Sequence, residues 1–254
     1  MKMLLNGEWV DRDRKIDVHD PFDDSVIETV PSATNEDVET ALEAAVLGFE
    51  VAKKMTVYER AQVLFKAAGI VSENLETFAR TIAREGSKTI REARKEVSRC
   101  VNTLMVSAEE SKRILGETIP FDSFPGGEKR RGYYYRFPIG VVLAITPFND
   151  PLNLVAHKLG PAVAAGNSVI LKPATLTPLS ALKLAEALLE AGLPPLILQV
   201  ITGYGSVIGD PLVSDERVRM ISFTGGVEAG KRIARTAGIK KMGMELGSDS
   251  PVIV

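Results

Sequence analysis

From Ile139 onward, short apolar runs alternate with amphipathic segments of helix length, and this alternation limits the fold more than any other feature. Strands are expected over 139–146, 168–171, 196–201 and 218–223, with further apolar segments at 241–246 and 251–254. Helices are expected over 152–165, 180–191 and 227–237, with a short one after Gly203-Tyr204-Gly205 that ends before Asp210-Pro211. The helix 180–191 stops at Gly192-Leu193-Pro194-Pro195, a glycine stop followed by prolines. Elements alternating at these lengths fold as an α/β doubly wound parallel sheet. Ligands sit at the carboxyl ends of the strands in such a sheet. Those ends are polar here: Thr146 and Asn149 follow the first strand, and Lys172 follows the second.

The region before Ile139 is built differently. Residues 1–33 mix short apolar runs with Asn-Gly, Asp-Pro and Asp-Asp punctuation, which predicts short strands and turns. Thr34-Asn35-Glu36-Asp37 and Thr56-Val57-Tyr58-Glu59 are capping boxes, each followed by an apolar stripe at helical spacing. A third stripe, Leu75, Phe78, Ala79 and Ile82, is stopped by Gly86. A long helix should then run from about 89 to 115. Residues 117–137, with Pro125-Gly126-Gly127 and Tyr133-Tyr134-Tyr135, predict a two-stranded ribbon with a glycine tip. An isolated hairpin is marginal in water, so its aromatic run must pack on this chain's sheet or on another subunit.

Composition removes several functions. The 254 residues carry a formal charge of −2, which gives no electrostatic case for nucleic acid or an anionic membrane. The basic triplet Lys129-Arg130-Arg131 reads as the solvated hairpin tip. A single cysteine, Cys100, excludes an internal disulfide and fits a reducing compartment. With His19 and His157 as its only histidines, the chain has no metal-ligand spacing, and no metal is expected. No apolar run approaches the roughly 20 residues of a membrane span, and the first residues do not form a signal peptide. A cytoplasmic protein is expected. Because residues 251–254 read as the opening of a buried strand with no turn after it, the chain is expected to be part of something longer.

The motifs taken singly are ambiguous. Thr224-Gly225-Gly226 with Gly230 follows a strand and opens a helix, where glycines let backbone approach a pyrophosphate and the helix N-terminus supplies amide donors. The spacing is not that of the dinucleotide fingerprint, so a plain strand-to-helix connection is equally consistent. Lys172 fits a site or a solvated surface, and Glu245 a strand end or an exposed turn.

Their order is more specific. Thr146-Pro-Phe-Asn-Asp-Pro151, Lys158-Leu-Gly-Pro161, Ala165-Gly-Asn-Ser168, Leu171-Lys-Pro-Ala174, Glu190-Ala-Gly-Leu-Pro-Pro195, Ile221-Ser-Phe-Thr-Gly225 and Met244-Glu-Leu-Gly247 occur in one series. That series resembles the NAD(P)-dependent aldehyde dehydrogenase superfamily, over nearly the whole chain and most specifically after Ile139. The resemblance implies a Rossmann-like coenzyme domain made of residues 1–116 and 138–254. It makes 117–137 an oligomerisation hairpin of a homodimer or homotetramer, and puts a catalytic domain beyond residue 254. It also implies NAD or NADP as coenzyme and an aldehyde as substrate. Asn149 would stabilise an oxyanion, and Glu245 would be the general base that activates water. Thr146, Pro147, Phe148, Lys172, Thr175, Phe223, Thr224, Gly225, Gly226 and Leu246 would contact the coenzyme.

Departures from the family pattern carry information too. Thr175 stands where the family often has a glutamate for the ribose 2′-hydroxyl, so NADP is admissible beside NAD. Ser248-Asp249 stands where the family usually reads Gly-Lys. The family's nucleophilic cysteine lies beyond Glu245, and Cys100, on the apolar stripe of a predicted helix, is no substitute. Arg99, Asp150 and His157, with Asn153 nearby, align with tunnel positions that are frequently apolar. They imply a small polar or anionic aldehyde of the lactaldehyde or phosphonoacetaldehyde type. Against that, His157 could cap its helix and Arg99 could pair with Glu96 or Glu92. A CoA-acylating relative is disfavoured because that branch generally lacks the base. A non-catalytic nucleotide-binding or assembly module is the alternative for this polypeptide by itself.

Overall fold

A computed structural model of the chain describes residues 1–248 and 250–252. Asn6 and Gly7 both take positive φ, 50° and 81°, which closes a tight hairpin between β1 (Met3–Leu5) and β2 (Glu8–Val10). A second antiparallel pair follows, β3 (Lys15–His19) with β4 (Val26–Pro31). Four helices come next: α1 (Asn35–Ala52), α2 (Val57–Glu73), α3 (Leu75–Gly86) and α4 (Ile90–Ser111). Thr34, Thr56 and Thr89 cap α1, α2 and α4 through complete capping boxes with Asp37, Glu59 and Glu92. The ribbon is present as β5 (Glu117–Ile119) paired with β6 (Gly132–Tyr134), a two-stranded sheet of its own.

The alternating half follows: β7 (Val141–Ile145), α5 (Asn153–Ala164), β8 (Ser168–Lys172), α6 (Leu179–Glu190) and β9 (Leu198–Val200), then α7 (Gly205–Ser214), β10 (Val218–Gly225), α8 (Val227–Thr236) and β11 (Lys241–Leu246). Five of these strands are parallel, and the main sheet has the order β11-β10-β7-β8-β9-β1-β2. Sequence patterning did not foresee that β1 and β2 extend the parallel sheet, as an antiparallel edge beside β9. The chain winds outward from β7 through β8 to β9, then returns to lay β10 on the other flank of β7. That reversal opens a crevice at the carboxyl ends of β7 and β10.

Strand periodicity divides the core. Val142, Ala144, Val169 and Leu171 face one layer with α2–α6, and Val141, Leu143 and Ile170 face the other with α1, α7 and α8. Cys100 lies in the first layer with Ala93, Val97 and Leu104, and burial raises its thiol pKa far above the usual range. No helix among the described residues is long and apolar enough to cross a membrane.

Three expectations need correction. Helix α7 does not end before Asp210-Pro211 but runs through Pro211 to Ser214, because burial of Leu212 and Val213 outweighs one missing amide donor. The strand expected from residue 196 starts at Leu198, after a single 3-10 turn at Pro195–Ile197. Helix α1 presses on that turn so closely that a Cβ on Gly48 would come within 1.9 Å of the Leu196 carbonyl oxygen. Finally, Pro251 and Val252 are exposed and belong to no strand, since neither has a ladder partner among the described residues. Asp249 and residues 253–254, which complete the expected last strand, lie outside the described residues.

Candidate active site

The crevice predicted by the strand order is a cleft of about 870 Å³, and its chemistry comes from strands far apart in sequence. Asn149 enters from the turn after β7, Thr224 from the end of β10, and Glu245 from β11, while α5 contributes His157 and Lys158. The register puts Thr224 opposite Glu245. Asn149, His157 and Glu245 are all exposed to the cleft, and none of their side chains hydrogen-bonds another group among the described residues. An amide donor and a carboxylate therefore face one space with their hydrogen-bonding capacity free.

Lys158, which stands in the motif series, was given no role by the sequence. Its Nζ donates to Thr224 Oγ1 at 2.9 Å and Ser222 Oγ at 3.2 Å. Burial pushes its pKa down to about 8, with the Glu245 carboxylate pulling the other way. The signal was available: Leu154, His157 and Lys158 share one face of α5, and a lysine inside an otherwise apolar helix needs a polar partner.

A second cavity, of about 250 Å³, opens between α7, α8 and the ends of β7 and β8. Lys172, Phe223, Gly205 and Arg232 line it, and Arg232 is paired with Asp210 of α7. Lys172 is 6% exposed, and its one hydrogen bond runs to the carbonyl of Pro173 at 3.2 Å. Burial pushes its pKa down to about 8. Thr175 donates its hydroxyl to the Gly203 carbonyl at 3.1 Å.

The glycines between the two cavities serve different ends. A Cβ on Gly225 would strike the Phe223 ring at 2.6 Å, and one on Gly230 would strike Leu246 at 2.6 Å, so both are demanded by packing. Gly226 has open space around it and begins α8 without any side-chain cap. The amide donors of the first turn of α8 are therefore free for an anion. Such a donor set, with a buried ammonium next door, fits the phosphates and ribose of a dinucleotide. Thr146 is buried in the β7–β8 ladder and donates its amide to the Lys172 carbonyl, while Pro147, Phe148 and Leu246 line the cleft.

Of the four residues expected to line a substrate tunnel, only His157 faces the cleft beside Asn149. Asn153 is a correction: it is buried, and its side-chain oxygen accepts from Thr103 Oγ1 at 3.0 Å. One residue of helix, about 100° of rotation, turns it from the cleft face of Leu154 toward α4. Arg99 does not pair with Glu96 or Glu92. It donates from Nη2 to Asp150 Oδ1 at 3.1 Å, and Lys88 binds the same carboxylate. Nor does His157 cap its helix.

Comparison with known proteins agrees with this geometry. The model of the aldehyde dehydrogenase family matches residues 9–254. Aspartate-semialdehyde dehydrogenase 1 of Pseudomonas canavaninivorans is 52% identical over 239 residues, covering 94% of this chain and 51% of the relative. The 3-sulfolactaldehyde dehydrogenase of Priestia aryabhattai is 47% identical over 252 residues, covering 99% and 52%. Among solved structures, NADP-dependent glyceraldehyde-3-phosphate dehydrogenase from Bacillus halodurans C-125, complexed with NADP, superposes with a TM-score of 0.95 at 40% identity. It is matched over 98% of this chain and 53% of its own. The chain thus spans about half the length of the curated relatives it matches. With the match running over almost every residue and Asn149, Thr224 and Glu245 meeting in one cleft at the strand ends, the chain belongs to the aldehyde dehydrogenase family.

Proposed function

We propose that this chain is the coenzyme-binding portion of an enzyme that oxidises a small polar or anionic aldehyde to its carboxylate with NAD or NADP. The observation that carries the reading is the meeting of Asn149 and Glu245 in one cleft, with the buried Lys172 in the adjoining cavity. Lys172, Thr175, Phe223 and the Thr224-Gly225-Gly226 turn would hold the coenzyme, with Thr146, Pro147, Phe148 and Leu246 around it. When bound, the nicotinamide supplies a hydride acceptor. The Asn149 amide donates to the oxygen of the aldehyde carbon as that oxygen gains charge, an interaction worth a few kcal/mol in a site shielded from water. Glu245 takes a proton from the water whose oxygen ends in the product carboxylate. Lys158, with its ammonium on Thr224 and Ser222, keeps a positive charge near that carboxylate.

The cleft presents the polar side chains of Asn149, His157, Lys158 and Glu245, where a wholly apolar tunnel would select for hydrophobic aldehydes. His157 is the expected tunnel residue that lines it, while Arg99, held by Asp150, lies outside that lining; the polar groups of the cleft suit the aldehydes after which the two relatives are named. Cys100 is buried and unreactive, so the nucleophile belongs to residues outside this chain. By itself, this polypeptide binds coenzyme without turning over aldehyde. The ribbon would build a homodimer or homotetramer: Tyr133, Tyr135 and Phe137 leave most of their surface in solvent, more than a ribbon of two three-residue strands keeps exposed without a partner. The enzyme would work in the cytoplasm, as the single free cysteine suits a reducing compartment.

The deciding experiment is a screen of anionic and neutral small aldehydes with both coenzymes on the full-length protein, alongside Glu245→Gln. Turnover should fall at least about a hundredfold in that variant with coenzyme binding kept. Unchanged steady-state rates would remove Glu245 from the chemistry, and equal rates with apolar aldehydes would remove the polar cleft.

A further inference from the structure

Asn149 has no side-chain hydrogen bond among the described residues, so the position of its amide depends on the turn that carries it. That turn is the entrance to α5, a helix start with a local weakness. Leu152 stands at the N-cap, and its side chain cannot accept a hydrogen bond. The missing acceptor arrives from α4. Glu96, 0% exposed, takes the amides of Leu152 and Asn153 on Oε1 at 2.9 and 3.1 Å. Its other oxygen accepts from Lys88 Nζ at 2.6 Å. Lys88 also binds the Asp150 carboxylate, one residue after Asn149, and Arg99 donates to that same oxygen. Thr103 closes the set through Asn153.

Residues 150, 152 and 153 are therefore tied to α4 and the loop before it, and no other part of the chain makes a side-chain hydrogen bond to them among the described residues. We propose that Lys88 and Glu96 are positioning residues for the oxyanion amide. Lys88 couples a buried helix cap to the carboxylate beside Asn149, so that the turn has one placement rather than several. The proposal rests on the role given to Asn149 above. Preorganisation is what makes such a donor effective, because an amide that must reorient as charge develops loses much of its advantage. A misplacement of about 1 Å is enough to lower a rate by roughly a hundredfold.

Lys88 can be changed with little loss of packing, since its side chain still reaches solvent (21% exposed) and its aliphatic stem is matched by methionine. In the full-length enzyme, Lys88→Met should lower kcat about tenfold to a hundredfold while KM for the aldehyde and Kd for the coenzyme move less than about twofold. Asp150→Asn should give a smaller loss in the same direction. The double variant should be no worse than Lys88→Met alone, because both changes break one coupling. Lys88→Arg, which keeps the charge and both acceptors within reach, should restore most of the rate. A lowered melting temperature with wild-type kcat in Lys88→Met would show a purely structural contact and overturn the proposal. If Lys88→Met does not fold, an unchanged kcat in Asp150→Asn overturns it as well. An inactive wild type with every aldehyde would bring down the proposed function and this inference together, whereas an active wild type with indifferent variants brings down the inference alone.

Discussion

Removing the buried charge of Lys172 should make the chain more stable at neutral pH. The ammonium is 6% exposed, no carboxylate pairs with it among the described residues, and its one acceptor is its neighbour's carbonyl. Burial lowers its pKa from 10.5 to about 8. At about 1.36 kcal/mol per unit, that is roughly 3 kcal/mol held against the folded state wherever the lysine is charged. In the unfolded chain the group stays protonated up to about pH 10.5, whereas the folded chain releases its proton near pH 8. Below pH 8 both states carry the proton and the full penalty applies. Between the two values the unfolded state binds more protons, so stability rises with pH, and above about 10.5 the penalty is gone. Lys172→Met keeps the stem and deletes the charge. It should gain about 2–3 kcal/mol in urea unfolding at pH 7 and roughly nothing at pH 10.5, while coenzyme affinity falls. A variant that is less stable at pH 7, or whose effect is the same at both pH values, would refute the reasoning. A penalty of this kind makes sense for a group kept ready for an anionic ligand that restores its partner.

Two further outcomes follow from the turn after β8 and from the helix packing. Thr175→Glu places a carboxylate in the turn three residues after Lys172, and the ratio of NADP to NAD dissociation constants should rise by at least about tenfold, or ~1.4 kcal/mol, in direct titrations. An unchanged ratio would show that residue 175 does not meet the ribose. Gly48→Ala would put a Cβ within 1.9 Å of the Leu196 carbonyl oxygen and force α1 off the turn before β9. Urea unfolding should register a loss of about 1–3 kcal/mol, and a neutral result would mean that α1 and that turn are not in such close contact.

How far the sequence could be read depended on whether the deciding partner was local. Strands β7 and β8 were legible because both faces are buried, so they appear as unbroken apolar runs. The capping boxes of α1 and α2 were legible because cap and acceptor are three residues apart. Lys172 drew notice by following a strand, while Lys158, with the same lowered pKa, opened a motif but had no visible role because its partner Ser222 is 64 residues away. Pro211 was read as a stop because proline chemistry is local, and only the burial of Leu212 and Val213 shows why the helix continues.

The buried carboxylates show the limit most clearly. Helices α5 and α6 have Leu152 and Pro178 at their N-caps, neither of which can cap through its side chain, and pattern alone would call them weak starts. The acceptors come from the earlier helical layer, Glu96 for α5 and Glu85 for α6, where Glu85 takes the amides of Leu179 and Ser180 at 2.7 and 2.8 Å. Burial raises the Glu85 pKa to about 7 while those amides pull it down. The two sites are repetitions of one device: a glutamate from the N-terminal helices caps the start of a helix of the sheet layer that lacks a local cap. An uncapped helix start in a sequence is thus a clue that a distant carboxylate must be buried against it. In this chain the two helices so capped are those that follow the strands delivering Asn149 and Lys172. The N-terminal layer therefore caps the helix after each of those strands without contributing a residue to the cleft that holds Asn149 and Glu245.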